Sequence, residues 1–144
     1  KNYADFTNTP LLELALRVIG AEENSRDLGI GYGMTGILRA VLYHARARRC
    51  YLPEDILTAA GISPTALFDL KPGDKFPALI KTLAFEAERH LQAARPRTAY
   101  TKGMKKLAQL HLGQMKKCAY DPFDKQWIAP PPFWQLRVAL AAKI

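Results

Sequence analysis

The chain has 144 residues, 49% of them hydrophobic and 24% charged, and a formal net charge of +8. That length suits one domain with its own core, and the composition excludes a disordered or collagen-like chain. No apolar run approaches the roughly 18 residues of a membrane-spanning helix, and no stretch has the basic-then-apolar order of a secretory signal.

In chain order, Thr9-Pro10 predicts the first helix start, with Thr as cap and Pro at the first helical position. Leu11, Leu12, Leu14, Ala15, Leu16, Val18 and Ile19 make this helix apolar nearly all round, which predicts a core helix ended by Gly20. Residues 21–26 are polar and read as a loop. A second helix is predicted from near Asp27 to about Arg46. It contains Gly29, Gly31, Gly33 and Gly36, each costing roughly 1 kcal/mol against alanine in a helix interior. Such a cost is tolerated where another backbone or a ligand must come close, and Gly33 and Gly36 are expected to face a neighbouring helix.

Pro53-Glu54-Asp55 predicts a short helix with acids in its first turn, stopped by Gly61. Ser63-Pro64 predicts another, and Lys71-Pro72-Gly73-Asp74 a turn. Phe76, Leu79, Ile80, Leu83, Ala87, Leu91 and Ala94 then recur at helical spacing up to Arg95-Pro96. The next helix is predicted over Thr98 to Cys118, with Met104, Leu107, Leu110 or His111, Met115 and Cys118 as its inner stripe. Residues 120–124 break it, Pro130-Pro131-Pro132 is a stiff extended piece, and Phe133 to Ala142 make a last helix. No segment reads as a strand and none repeats, so the fold class is all-α.

Local motifs give little chemistry. Gly31 to Gly36 spells G-x-G-x-x-G, with Glu54 and Asp55 downstream, but residues 24–30 offer no buried strand before it and nothing later completes a βαβ unit. Cys50 and Cys118 belong to no metal-ligand or redox spacing and read as reduced, at least half-buried thiols. His90 and His111 read as ordinary helix-face residues with no partner nearby in sequence. No Ser/His/Asp or Cys/His arrangement has a local signature. Arg39, Arg46, Arg48 and Arg49, interleaved with Tyr43, His44 and Tyr51, form a basic cluster. It fits a solvated helix end, a phosphate-binding wall of guanidinium forks, or an RNA-contacting patch. Lys102, Lys105, Lys106, Lys116 and Lys117 read as a wet helix face.

One stretch is more specific. Ile37-Leu38-Arg39, then Arg49, then Tyr51-Leu52-Pro53 resembles the second aspartate-rich region of the squalene/phytoene synthase family. There, Asn-Ile-Leu-Arg-Asp leads through a second acidic site into Gly-Arg-x-Tyr-Leu-Pro. Ala40 stands where the family has its first Asp, and His44 where it has the later one. Leu38-Arg39-Ala40-Val41-Leu42-Tyr43-His44 is similar to a divergent branch that contains an assembly factor of mitochondrial respiratory complex I. Asn2-Tyr3-Ala4, the helix ending in Ile19-Gly20, Glu54-Asp55-Ile56 and Tyr120 to Asp124 extend the resemblance over most of the chain.

The resemblance implies the C-terminal half of an α-helical isoprenoid-synthase domain over residues 1–144, with the N-terminal part absent from this chain, which begins at Lys1. It implies that Arg39, Ala40, His44, Arg49 and Tyr51 mark a degenerate diphosphate pocket. Family members hold Mg²⁺ with the lost carboxylates, so the implied protein has no catalytic residues, no metal and no cofactor. The implied role is a scaffold or assembly factor on the mitochondrial matrix side, or in a bacterial cytoplasm, with protein subunits of a large complex as partners. Arg46, Arg48 and Arg49 are then the partner-surface candidates. Two alternatives stay open: a basic protein of a mitochondrial ribonucleoprotein with RNA as partner, and an active or altered prenyltransferase.

Overall fold

A computed structural model describes residues 2–143, among which all regular structure is helical. The elements are α1 (Asn2–Val18), α2 (Arg26–Arg39), α3 (Val41–Arg46), α4 (Glu54–Ala60), α5 (Pro64–Phe68), α6 (Phe76–Ala93), α7 (Ala99–Lys117) and α8 (Trp134–Lys143). The all-α expectation therefore stands.

Helix α2 is the central element, packed against α1, α6 and α7. Its glycines make this possible on two faces. A Cβ on Gly29 would lie 2.7 Å from Thr9 Oγ1 and 2.9 Å from Thr9 Cα, and one on Gly33 would lie 2.8 Å from Asn8 Cγ and 3.2 Å from Ala4 Cβ. Both belong to the α1 contact. Gly31 points the other way, where a Cβ would meet Leu91 at 2.8 Å and the Ala87 carbonyl oxygen at 3.0 Å on α6. Gly36 does not share this role, since a Cβ there meets nothing within 4 Å. It borders open space instead, so the expectation of a close helix contact holds for Gly33 and fails for Gly36.

The core is filled by Leu12 and Leu16 of α1, Leu28, Ile30, Met34 and Leu38 of α2, and Phe76, Leu79, Ile80, Leu83, Ala87 and Leu91 of α6. Leu52, Leu57, Ile62 and Leu67 close the end beneath α3 to α5. Short-helix signals act as the sequence predicts. Ser63 Oγ accepts from the Ala66 N–H at 3.1 Å, and Gly61 caps α4 in the left-handed region at φ 70°.

Three helices depart from expectation. Helix α1 does not begin at Thr9-Pro10; it runs through Pro10 from Asn2. Pro10 and Phe6 are both exposed, so the backbone bond lost to proline falls on the wet side, where water can replace it. Thr7 and Asn8 side chains also bond back to the Tyr3 and Ala4 carbonyls in the preceding turn. Nor is α1 a core helix all round, because Leu11, Leu14, Val18 and Ile19 are exposed. The predicted second helix is two, broken at Ala40 (φ −92°, ψ 8°). In α7 the stripe is only partly as expected: Leu110, Met115 and the capping Cys118 are buried, but Thr101, Ala108 and Leu112 are buried too, while Met104, Leu107 and His111 are only half-buried. A second α7 face carries α8, with Gly103 against Val138.

Loops are tied by long-range polar contacts. Glu23 Oε2 accepts from the Arg97 and Thr98 N–H groups at 2.6 and 3.4 Å, joining the α1–α2 loop to the α6–α7 turn. Lys105, expected on a wet face, is half-buried and donates to the Ala94 carbonyl at 2.9 Å. Both cysteines are free thiols, Cys118 buried and Cys50 half-buried.

Candidate functional site

The family-like stretch crosses the break at Ala40. Arg39, the last residue of α2, is exposed, but its carbonyl accepts from Trp127 Nε1 at 3.2 Å. Trp127 itself is buried, and Gln114 Nε2 donates to the neighbouring Gln126 carbonyl at 3.1 Å. Residues 121–128 are thereby strapped across the C-terminal end of α2. Between strap and helices lies a 480 Å³ cleft lined by Gly36, Arg39, Ala40, Tyr43, Arg46 and Lys125, with Phe123, Trp127 and Ile128 on the strap side.

His44 opens elsewhere. Its ring stands edge-on to Tyr51, 4.7 Å between centroids, and Tyr51 in turn lies 5.2 Å from Tyr3 of α1. His44, Tyr51, Tyr3 and Asn8 line a 310 Å³ groove between α1 and α2. Arg49 borders a separate crevice with Cys50 and Leu67 that has no room for a water molecule. The predicted pocket residues are therefore not one constellation. Arg39 and Ala40 share the cleft, His44 and Tyr51 share the groove, and Arg49 joins His44 and Tyr51 only at the crevice.

Arg46, Arg48 and Arg49 are all exposed, on the end of α3 and the turn after it, as a solvated helix end requires. Arg48 holds a left-handed backbone at φ 51°, while the Arg49 N–H reaches back to the His44 carbonyl at 2.9 Å to close the helix. None of Arg39, Arg46, Arg48 and Arg49 forms an ion pair with a described residue; Arg26–Asp5 and Arg89–Glu86 do, and His90 contacts the carboxylates of Asp27 and Glu86.

A further cavity, of 720 Å³, adjoins the groove at Tyr3 and Tyr51 and is lined by Met34, Leu52, Ile56, Leu83, Asp55 and Glu86 among others. Asp55 is a first-turn acid of α4, as its sequence position predicts, but it also borders this cavity. Among the described residues no group of three or more His, Cys, Asp or Glu side chains is placed to hold a metal ion. None of their helices is long and apolar enough to cross a membrane.

Two histidines behave differently from the sequence reading. His90 is buried, with Nδ1 2.7 Å from Asp27 Oδ1 and Nε2 3.5 Å from Glu86 Oε1. Glu86, four residues back on the same helix, was a legible partner; Asp27, from α2, was not. His111 on α7 is half-buried, and burial followed by the Arg39 charge pushes its pKa down to about 4.

Comparison with known proteins matches the squalene/phytoene synthase family model to residues 1–127. The chain is 31% identical over 100 residues to "NADH dehydrogenase (ubiquinone) complex I, assembly factor 6" of Homo sapiens and of Bos taurus, covering 66% of this chain and 30% of each relative. A Dictyostelium discoideum homolog of that assembly factor is 28% identical over 102 residues, 66% of this chain and 29% of the relative. Chloroplastic phytoene synthase of Daucus carota is 44% identical over 54 residues, 38% of this chain and 14% of the relative. The chain thus spans about 30% of the length of the assembly factors it matches. No solved structure matches it.

Proposed function

Since this chain belongs to the squalene/phytoene synthase family, we propose that it is part of a non-catalytic assembly factor for respiratory complex I. Similarity to the named assembly factors supports the reading, and position 40 carries it. Ionising a prenyl diphosphate requires charge neutralisation at the leaving group, which in the family comes from Mg²⁺ on paired acidic motifs. Ala40 offers no oxygen donor, and the imidazole of His44 is a poor substitute for the hard oxygen ligands Mg²⁺ prefers. Ala40 and His44 also open into different cavities, so the residues present do not fit a diphosphate-gripping metal site.

In this reading residues 1–144 form the C-terminal part of a larger helical domain. The exposed apolar face of α1, with Leu11, Leu14 and Val18, supports that arrangement. The location that follows is the mitochondrial matrix side, or the cytoplasm of a bacterial relative. Exposed arginines at 46, 48 and 49 also support a second reading, a basic protein of a ribonucleoprotein.

The test is affinity purification from the native organelle or cell, with proteins and RNA identified together. Complex I subunits are the expected companions. Ribosomal proteins with their RNA would favour the second reading, and neither class would overturn both.

A further inference from the structure

We propose that the cleft between the Ala40 break and the 121–128 strap is a docking site for an acidic protein segment that carries a bulky apolar side chain. The proposal deepens the assembly reading, on which it rests, by naming the surface and the chemistry of its occupant.

The cleft is net basic, with three cationic side chains against the one carboxylate of Asp124. Arg39, Arg46 and Lys125 border it, and none makes an ion pair with a described residue. From Arg39 to Pro53, and again from Lys125 to Lys143, the chain contains no Asp or Glu. The nearest acids are already engaged by the strap's own backbone. Asp121 Oδ1 accepts from the Phe123 N–H at 2.9 Å, and Asp124 Oδ1 from the Gln126 N–H at 2.7 Å. A carboxylate arriving from outside therefore meets guanidinium and ammonium groups able to form charge-assisted hydrogen bonds.

Apolar contact is offered at the same place. Ile128 is 67% exposed and Phe123 44% exposed, both on the strap lip, with Tyr43 opposite at 73%. The wall between them is built in advance. Trp127 is 2% exposed and anchored to the Arg39 carbonyl, and Gln114 holds the residue before it from α7. A preformed wall spares a partner the cost of ordering it. A space of 480 Å³ takes one or two large side chains, which suits a peptide anchor. RNA fits less well, because a phosphodiester chain needs a continuous basic track, whereas this cleft offers three cations around one side-chain-sized space.

The test places a photo-crosslinking benzoylphenylalanine at Tyr43 in the full protein in its native cell and identifies the crosslinked segment by mass spectrometry. A net-negative segment with an aromatic or aliphatic side chain at the crosslink is expected. Arg46→Glu with Lys125→Glu should cut the yield about tenfold, as should Ile128→Ser, while circular dichroism stays unchanged. Crosslinks to RNA, to a neutral or basic segment, to nothing, or at full yield in the charge-reversed protein would overturn the proposal. An acidic segment from a protein outside complex I would keep the docking site and overturn the assembly reading. Co-purified complex I subunits with a non-acidic crosslink would do the reverse.

Discussion

His90 Nδ1 lies 2.7 Å from Asp27 Oδ1, a polar contact that bridges α6 and α2 across 63 residues of sequence in the most extensively packed part of the molecule. His90 is buried while the Asp27 side chain is 43% exposed, so the carboxylate is partly hydrated and the imidazole is not. His90→Leu removes this contact and the approach to Glu86, leaving the Asp27 carboxylate without its buried partner. We expect a loss of about 1–3 kcal/mol, measured by urea denaturation. His90→Gln, which keeps a hydrogen-bonding side chain, should recover part of it. Equal stability of wild type and His90→Leu would mean that the contact contributes nothing net.

The glycines of α2 give a paired prediction with opposite signs. Gly33→Ala pushes a methyl into Asn8 and Ala4, so the Asn8 side chain must turn away and the helices give by a few tenths of an ångström, at a cost of about 1–3 kcal/mol. Gly36→Ala meets open space in an ordinary helical backbone, and should stabilise by about 0.5–1 kcal/mol through the lost flexibility of the unfolded chain. Thermal melts of the two variants check both. Stabilisation by both would show that the α1–α2 approach is looser than the geometry indicates, and destabilisation by both that position 36 is not open.

Those two glycines also show what was legible in the sequence. Local signals carry: Ser63 before Pro64 and Gly61 act within a few residues of themselves. Gly33 and Gly36 look alike locally, and only the crossing of α1 distinguishes them. The break at Ala40 has no proline or glycine at it; the long-range bond there comes from Trp127, 88 residues away from Arg39. Likewise Pro10 carries the same local signal at a helix start as inside a helix whose exposed side can spare a bond. The candidate site was legible as a list of positions, but not as two cavities, because that division depends on where the 121–128 strap lands.

His111 gives a pH dependence. Its folded pKa of about 4 lies below the unfolded value near 6.5, mainly from burial and then from the Arg39 charge. The folded state therefore prefers the neutral ring. The associated stability is fully present above pH 6.5 and is lost as pH falls through the window from about 6.5 to about 4. Allowing for its half-exposed position, the effect is on the order of 1–2 kcal/mol. His111→Gln should flatten the denaturation midpoint across that window, and an unchanged acid limb would place the loss elsewhere.

The exposed basic turn predicts a different separation. Arg46→Glu, Arg48→Glu and Arg49→Glu together should leave helical content near wild type, since all three are exposed and none has an ion-pair partner among the described residues. Rim arginines steer association and give it salt dependence, so recovery of the triple variant in the native complex should fall. Undiminished recovery of a folded triple variant would reduce these arginines to solubilising charge. A steep salt slope with RNA in the purified material would shift the assignment to the ribonucleoprotein.

Restoring the lost acids should not restore chemistry. Ala40→Asp with His44→Asp would return the two residue types the family uses, four positions apart. On an unbroken helix such a pair would share one face. Here the His44 N–H still reaches the Ala40 carbonyl at 2.9 Å, but the two side chains border different cavities. The carboxylate introduced by Ala40→Asp would open onto the cleft beside Trp127, and the one introduced by His44→Asp onto the groove beside Tyr51 and Tyr3. The two cavities meet at Gly36, but carboxylates on either side of it are poorly placed to share Mg²⁺ on one diphosphate, and a catalytic clamp also requires supporting groups that orient its ligands. We therefore expect neither the native protein nor the double variant to make squalene or phytoene from prenyl diphosphates with Mg²⁺, assayed by chromatography against a no-protein control. Product from the native protein would overturn the non-catalytic reading. Product from the double variant alone would show that the two cavities merge when metal and substrate bind.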